Sequence, residues 1–205
     1  QFGAAISIIR DKRLADIATA RAQITGTSAF PNLDETPAPT TMNTPVGWSN
    51  GYANGLRPLR LSEAFEHLRD RATAAAANGT RPQVYLANLG PLASHNARTN
   101  FAVNFFAAGG MATIAGDSGA SAESIASGAP VRVCKIACLC GSDEYYASQA
   151  AALISALKQT GAAQVFIAGR AGSQDTEWRQ AGLDGYVFQG CDMIEILSAA
   201  LNVFE

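Results

Sequence analysis

The feature that most constrains this chain begins at Gln83. Short apolar runs alternate with segments of helical period, and the connections between them are only a few residues long. Residues 84–89 form the first run, which ends in Gly90-Pro91. A helix is expected over 95–108, with Phe101, Phe105 and Phe106 inward and Gly109-Gly110 as its stop. Strand-like residues 111–115 and a short helix over 121–127 follow, and residues 131–140 read as the longest strand. Ser142 is placed to cap the next helix, whose first turn carries Asp143 and Glu144, where the helix dipole favours acids. Ala147, Ala150, Ala151, Ile154 and Leu157 make its apolar face, and Gly161 ends it. Residues 164–168 and 185–188 are the fourth and fifth strands, with a helix at 174–181 between them. Asp192, with Glu195 three positions on, has the pattern of a capping box opening the last helix.

Five strand–helix units in about 120 residues imply an α/β fold with an open, doubly wound parallel sheet and helices on both faces. For five strands the natural order is 2-1-3-4-5, the flavodoxin-like arrangement. Ligands of such sheets sit beyond the carboxyl ends of the strands, at the switch between strands 1 and 3. Here that edge is made by residues 90–95 and 140–144, with 169–173 nearby.

The upstream third is organised differently. Residues 1–25 read as one Ala-rich helix, with Ile6, Ile9, Arg13 and Ile17 at helical spacing. Residues 29–60 carry Pro31, Pro37, Pro39, Pro45 and Pro58 together with Gly47, Gly51 and Gly55, so they cannot hold regular structure for long. A solvated linker is one reading. An extended belt laid on a neighbouring surface, with Phe30, Leu33 and Trp48 as anchors, is favoured, because a free linker has little use for exposed aromatic residues. A second helix over 61–77 presents Leu61, Phe65, Leu68 and Ala72 as a narrow stripe, with Ser62 as N-cap and Gly79 as stop. The expected divisions are therefore 1–28, 29–60, 61–80 and 81–205.

Charge and composition narrow the function. Fifteen Lys+Arg face 17 Asp+Glu, a formal net charge of −2, so there is no basic surplus to neutralise phosphates and nucleic acid is not an expected partner. No apolar run reaches membrane-spanning length. The opening residues lack a basic stretch followed by an apolar one, so no secretory leader is expected, and the absence of an initial Met suggests a fragment or a processed chain. Cys134, Cys138, Cys140 and Cys191 read as buried free thiols rather than a zinc site. The first three, at even spacing, are expected on one face of the long strand, and a reducing cytoplasm suits them.

The switch edge is poor in reactive groups. His95 follows strand 1 and reads as a surface histidine near a helix start; an axial ligand or general acid is the alternative, but no acid stands near it in sequence to fix its tautomer. His67 falls on a charged helix face. Gly169-Arg-Ala-Gly-Ser173 could rest an anion but lacks the Lys-Ser/Thr of a phosphate loop, so an ordinary turn is expected. Cys191, at a helix N-terminus, could have a lowered pKa, yet no histidine is near it.

Several strings carry a resemblance. Val84-Tyr-Leu-Ala-Asn-Leu-Gly-Pro-Leu-Ala-Ser-His-Asn-Ala-Arg98, then Asn104-Phe-Phe-Ala-Ala-Gly-Gly110, Ala168-Gly-Arg170 and Phe188-Gln-Gly-Cys-Asp192 resemble the C-terminal domain of methylmalonyl-CoA mutase small subunits. Ile24-Thr-Gly-Thr-Ser-Ala-Phe-Pro-Asn-Leu-Asp-Glu35 resembles the segment leaving the mutase barrel. Leu59-Arg-Leu-Ser-Glu-Ala-Phe-Glu-His-Leu-Arg-Asp70 resembles the connector before the cobalamin-type domain. The resemblance covers nearly the whole chain, in order. It implies an upstream TIM-type barrel absent here, with 1–28 as its last helix, 29–60 as a belt and 61–80 as a connecting helix. It also implies adenosylcobalamin radical chemistry on methylmalonyl-CoA and succinyl-CoA, with a catalytic large subunit beside a related small one.

The resemblance further implies where a cofactor would sit. Functional domains of this family carry Asp-x-His-x-x-Gly after strand 1, where the His ligates cobalt, the Asp orients it and the Gly leaves room for the nucleotide tail. Here that frame reads Ala93-Ser-His95-Asn-Ala-Arg98. The family's Ser-x-Leu after strand 3 becomes Cys140-Gly-Ser142, and its Gly-Gly after strand 4 becomes Gly169-Arg170. Arg98 and Arg170 would stand in the path of the tail, and burying them without partners would cost roughly 3–5 kcal/mol on the scale of an uncompensated charge. The expected function is thus the non-catalytic small subunit of a heterodimer, with a degenerate domain that binds no cofactor itself. The alternative is an active adenosylcobalamin-binding isomerase domain with His95 as cobalt ligand. A more distant third is an unrelated flavodoxin-like regulatory or nucleotide module.

Overall fold

A computed structural model describes residues 2–35, 60–77, 79, 81–118 and 121–205. Five short strands carry the architecture: β1 (Gln83–Asn88), β2 (Ala112–Ala115), β3 (Ile136–Cys140), β4 (Gln164–Ala168) and β5 (Gly185–Val187). All pair in parallel, in the order β2-β1-β3-β4-β5. This is the flavodoxin-like sheet that the alternating pattern predicts. The helices are α1 (Phe2–Ala18), α2 (Glu63–Ala77), α3 (Leu92–Ala108), α4 (Ala122–Gly128), α5 (Val131–Cys134), α6 (Asp143–Gln159), α7 (Asp175–Gln180) and α8 (Met193–Leu201), the last running into a 3-10 turn (Asn202–Phe204).

Side chains of period two split the core into two layers. Val84, Leu86, Ile136, Cys138, Phe166 and Val187 point to one side, where Phe65 and Leu68 of α2, Phe105 and Phe106 of α3 and Leu197 and Leu201 of α8 cover them. Tyr85, Ala87, Ala137, Leu139, Val165 and Ile167 point to the other, under α4, α5, α6 and α7. Ile17, at the end of α1, joins the first layer, whereas Ile6, Ile8 and Ile9 on the same helix are exposed.

Three local expectations are corrected. The first helix ends at Ala18 rather than near residue 25: Ala20 adopts φ 54°, and the Ala22 N–H turns back to the Asp16 carbonyl. Residues 131–140 are not one strand. Val131–Cys134 form a helical turn, Lys135 takes φ 56°, and only then does β3 begin. The Lys135 carbonyl accepts the N–H groups of Ala163 and Gln164, and its ammonium reaches the Val203 carbonyl and the Phe204 ring, so tertiary partners hold this left-handed residue. Cys134 consequently falls in the second layer, while Cys138 and Cys140 share the first. Finally, α3 starts three residues early, at Leu92.

The caps are mixed. Asp192 accepts from the Glu195 N–H at 3.0 Å, as its spacing predicts. Ser142 occupies the N-cap of α6 but its hydroxyl makes no capping bond. Ser62 donates instead to the Glu66 carboxylate, which holds that acid below its ordinary pKa. Of the belt residues, Phe30 is exposed and adopts φ 51°, Leu33 is half-buried, and Trp48 lies outside the described residues. The segment before them is tied to the domain by Arg69, which donates to the carbonyls of Gly26 and Thr27, and by Arg81, which donates to Leu33.

Candidate functional site

The carboxyl edge of the sheet is where a ligand would be expected, and its geometry follows from two tight corners. At the first, Gly90 takes φ 77° and the Tyr145 ring packs where a β-carbon would project, so only glycine fits. At the second, a β-carbon on Gly141 would stand 2.9 Å from Leu89. The β1–α3 and β3–α6 corners therefore lie against each other, and the Leu89 N–H bonds to the Cys140 carbonyl at 2.8 Å.

His95 corrects the reading of a surface residue. It is buried, at 3% exposure, on the inward side of the first turn of α3. Its Nδ1 lies 3.2 Å from the Thr99 hydroxyl, which itself donates to Asn88 Oδ1 at 2.8 Å, while Asn88 Nδ2 donates to the Gly116 carbonyl at 3.0 Å. Because the Thr99 proton is spent on Asn88, the hydroxyl oxygen is left to accept, and Nδ1 must carry the hydrogen. Nε2 is buried with no hydrogen-bond partner. Burial pushes the imidazole pKa below its ordinary value. The relay through Thr99 and Asn88 fixes the orientation of the ring. Ala93 itself is exposed and outside it.

Arg98 also departs from expectation, since it is not left unpaired. Its Nη1 donates to the Gly141 carbonyl at 2.5 Å, its Nη2 to Asp143 Oδ1 at 2.5 Å, and its guanidinium stacks 4.9 Å from the Tyr146 ring centroid. A β-carbon placed on Gly169 would lie 3.7 Å from its guanidinium carbon. Tyr146 is buried beneath it. That hydroxyl accepts the Gly141 N–H at 3.0 Å and faces the carbonyls of Leu139 (3.0 Å) and Ala168 (2.9 Å), bridging the ends of β3 and β4. Burial drives its pKa well above the ordinary phenol value.

The remaining predicted positions are scattered. Arg170 turns away to stack on Phe188 at 4.5 Å and to donate to the Gln189 carbonyl. Cys140 is fully buried in the core layer, and Ser142 is half-buried. The structure thus unites Arg98, Gly169 and the Cys140–Ser142 corner, sets His95 in a separate buried relay and leaves Ala93 and Arg170 apart. Asn88, Thr99 and Tyr146 were missed by sequence reasoning. Only Thr99, four residues from His95 on one helix face, and Asn88, the one amide within the apolar run 84–89, offered a signal.

Other candidates are quiet. Burial raises the Cys191 pKa, against the lowered value its position suggested. The four thiols are free and buried. Among the described residues there is no group of three or more His, Cys, Asp or Glu placed to hold a metal, and no helix long and apolar enough to cross a membrane. A cavity of about 220 Å³ opens on the α3/α8 face, between Phe101, Phe105, Phe188 and Met193, with exposed Phe30 among its lining.

Sheet order and edge define the class: a flavodoxin-like α/β domain whose switch crevice is crossed by an arginine. No family model matches the chain. Individual relatives do. A methylmalonyl-CoA mutase small subunit from Streptomyces virginiae is 41% identical over 197 residues, 93% of this chain and 29% of that protein. A probable methylmalonyl-CoA mutase small subunit of Mycobacterium bovis is 37% identical over 77% of this chain and 24% of that protein. The small subunit from Propionibacterium freudenreichii subsp. shermanii is 30% identical over 95% of this chain. Over most of its length the chain is homologous to methylmalonyl-CoA mutase small subunits, and it spans less than a third of the length of these relatives.

Proposed function

We propose that this chain is the cobalamin-type domain of a methylmalonyl-CoA mutase small subunit that has kept the fold but not the cofactor. In this reading it serves a structural role in a cytoplasmic heterodimer with a catalytic large subunit, where the large subunit interconverts methylmalonyl-CoA and succinyl-CoA. Residues 1–28 end a preceding barrel, 29–60 run as a belt, 61–80 connect and 81–205 form the domain. One observation carries the reading: the Arg98 guanidinium, bonded to Gly141 and Asp143 and stacked on Tyr146, lies across the crevice that a nucleotide tail would have to enter. The residues present therefore do not fit adenosylcobalamin.

A second reading, an active adenosylcobalamin-binding domain, is favoured by a different observation. The Asn88–Thr99 relay leaves His95 Nε2 unprotonated and without a partner, the state a metal-ligating imidazole needs. Titration of the purified chain with hydroxocobalamin separates the two. The structural reading expects no spectral change of histidine ligation. Micromolar or tighter binding that disappears in His95→Ala would overturn it.

A further inference from the structure

We propose that the crevice between the carboxyl ends of β1, β3 and β4 is a guanidinium-binding site, filled in this chain by Arg98 and open to a free guanidinium cation once that side chain is removed. The proposal deepens the reading of a domain closed to cofactor by naming what closes it and what chemistry the closed space selects.

Three kinds of group converge on the cation. The Gly141 carbonyl and the Asp143 carboxylate each accept at 2.5 Å, and the Tyr146 ring offers its face at 4.9 Å. A planar, forked cation satisfies all three at once: two N–H groups in the plane of the fork and the flat surface against the ring. A lysine ammonium is a point charge with no flat face, and sodium has neither face nor directed donors.

Two of the three walls are held by bonds that do not involve Arg98. Gly141 is fixed by the Tyr146 hydroxyl on its N–H and by Leu89, which stands where its β-carbon would project. Tyr146 is buried and anchored to the carbonyls of Leu139 and Ala168. Asp143, by contrast, is exposed and adds charge to a frame that the other two set. Removing the Arg98 side chain therefore leaves a preformed recess. The Arg98 side chain retains 30% of its exposure, so solvent and small ions reach the recess.

The test is chemical rescue in the full chain. Arg98→Ala should lower Tm by roughly 3–6 °C, the scale of a lost charge-assisted bond in a domain this size. Guanidinium at millimolar concentration, far below its denaturing range, should recover at least half of that loss in a saturable way. Methylammonium and sodium at the same concentration should not, and the wild type should gain nothing. Asp143→Asn in the same background should weaken the rescue. An unchanged Tm in Arg98→Ala, or a fall that methylammonium repairs as well as guanidinium does, overturns the site. Where Arg98→Ala does not fold, NMR of the wild type decides. Slowly exchanging Arg98 guanidinium protons with cross-peaks to the Tyr146 ring support the site, and freely rotating, fast-exchanging ones refute it. Cobalamin binding to the wild type would refute the functional reading while leaving the rescue result standing, so the two failures are distinguishable.

Discussion

Tyr146→Phe isolates a strut on which the whole edge depends. The substitution keeps the ring, its contact with Trp178 and the face under Arg98, and deletes one oxygen. That oxygen accepts the buried Gly141 N–H and shares one proton between the carbonyls of Leu139 and Ala168. Leaving a buried donor unsatisfied costs about 1–3 kcal/mol, and a lost donation to the carbonyls adds about 1, so a total near 2–4 kcal/mol is expected. At about 2–4 °C per kcal/mol for a chain of this size, Tm should fall by roughly 4–16 °C. Urea unfolding checks it: the midpoint moves to lower urea while the slope stays constant, because the surface exposed on unfolding does not change. Gly141 also serves Arg98 through its carbonyl, so Tyr146→Phe and Arg98→Ala should be non-additive by at least about 0.5 kcal/mol in a double-mutant cycle. A loss below about 0.5 kcal/mol for Tyr146→Phe alone would refute the reasoning, since it would mean the three backbone groups find other partners at no cost.

Two further outcomes follow from the same geometry. Burial depresses the His95 pKa in the fold, so the neutral imidazole contributes stability that is present above the unfolded value of about 6.5 and is lost as pH falls through the lower folded value. Its ring protons in an NMR titration should move at a midpoint below that of an unstructured histidine peptide, and an equal or higher midpoint counts against the buried relay. Arg69→Ala removes the bonds to Gly26 and Thr27 and should make residues 24–33 cleave faster under limited proteolysis while residues 81–205 stay protected; unchanged cleavage would show that this arginine does not tether the segment.

The flavodoxin-like sheet was legible in the sequence because every strand but the edge strand β2 is a short apolar run that is almost wholly buried, and several helices stop or start on recognisable residues. The geometry of the strand then places Val84 and Leu86 on one face and Tyr85 and Ala87 on the other. The misread stretch is 131–140, and the cause is tertiary: Val131, Val133 and Cys134 have strand-like composition, but the Lys135 carbonyl is claimed by Ala163 and Gln164 and its side chain by Val203, which together stabilise a left-handed residue that propensity opposes. Positions 93, 98 and 170 could likewise be found, though from the resemblance to the family's motif rather than from spacing. What those residues do could not, because it depends on partners far along the chain. Arg98 looked like an uncompensated charge until Gly141 and Asp143, more than 40 residues away, came within 2.5 Å of it. His95 looked exposed and unsupported until α3 folded it inward onto Thr99 and Asn88. Local sequence determines which elements form and which face each buries, since those follow from nearest neighbours and periodicity. The protonation of an imidazole and the pairing of a guanidinium are set by distance and dielectric, and only the packed edge of the sheet decides both.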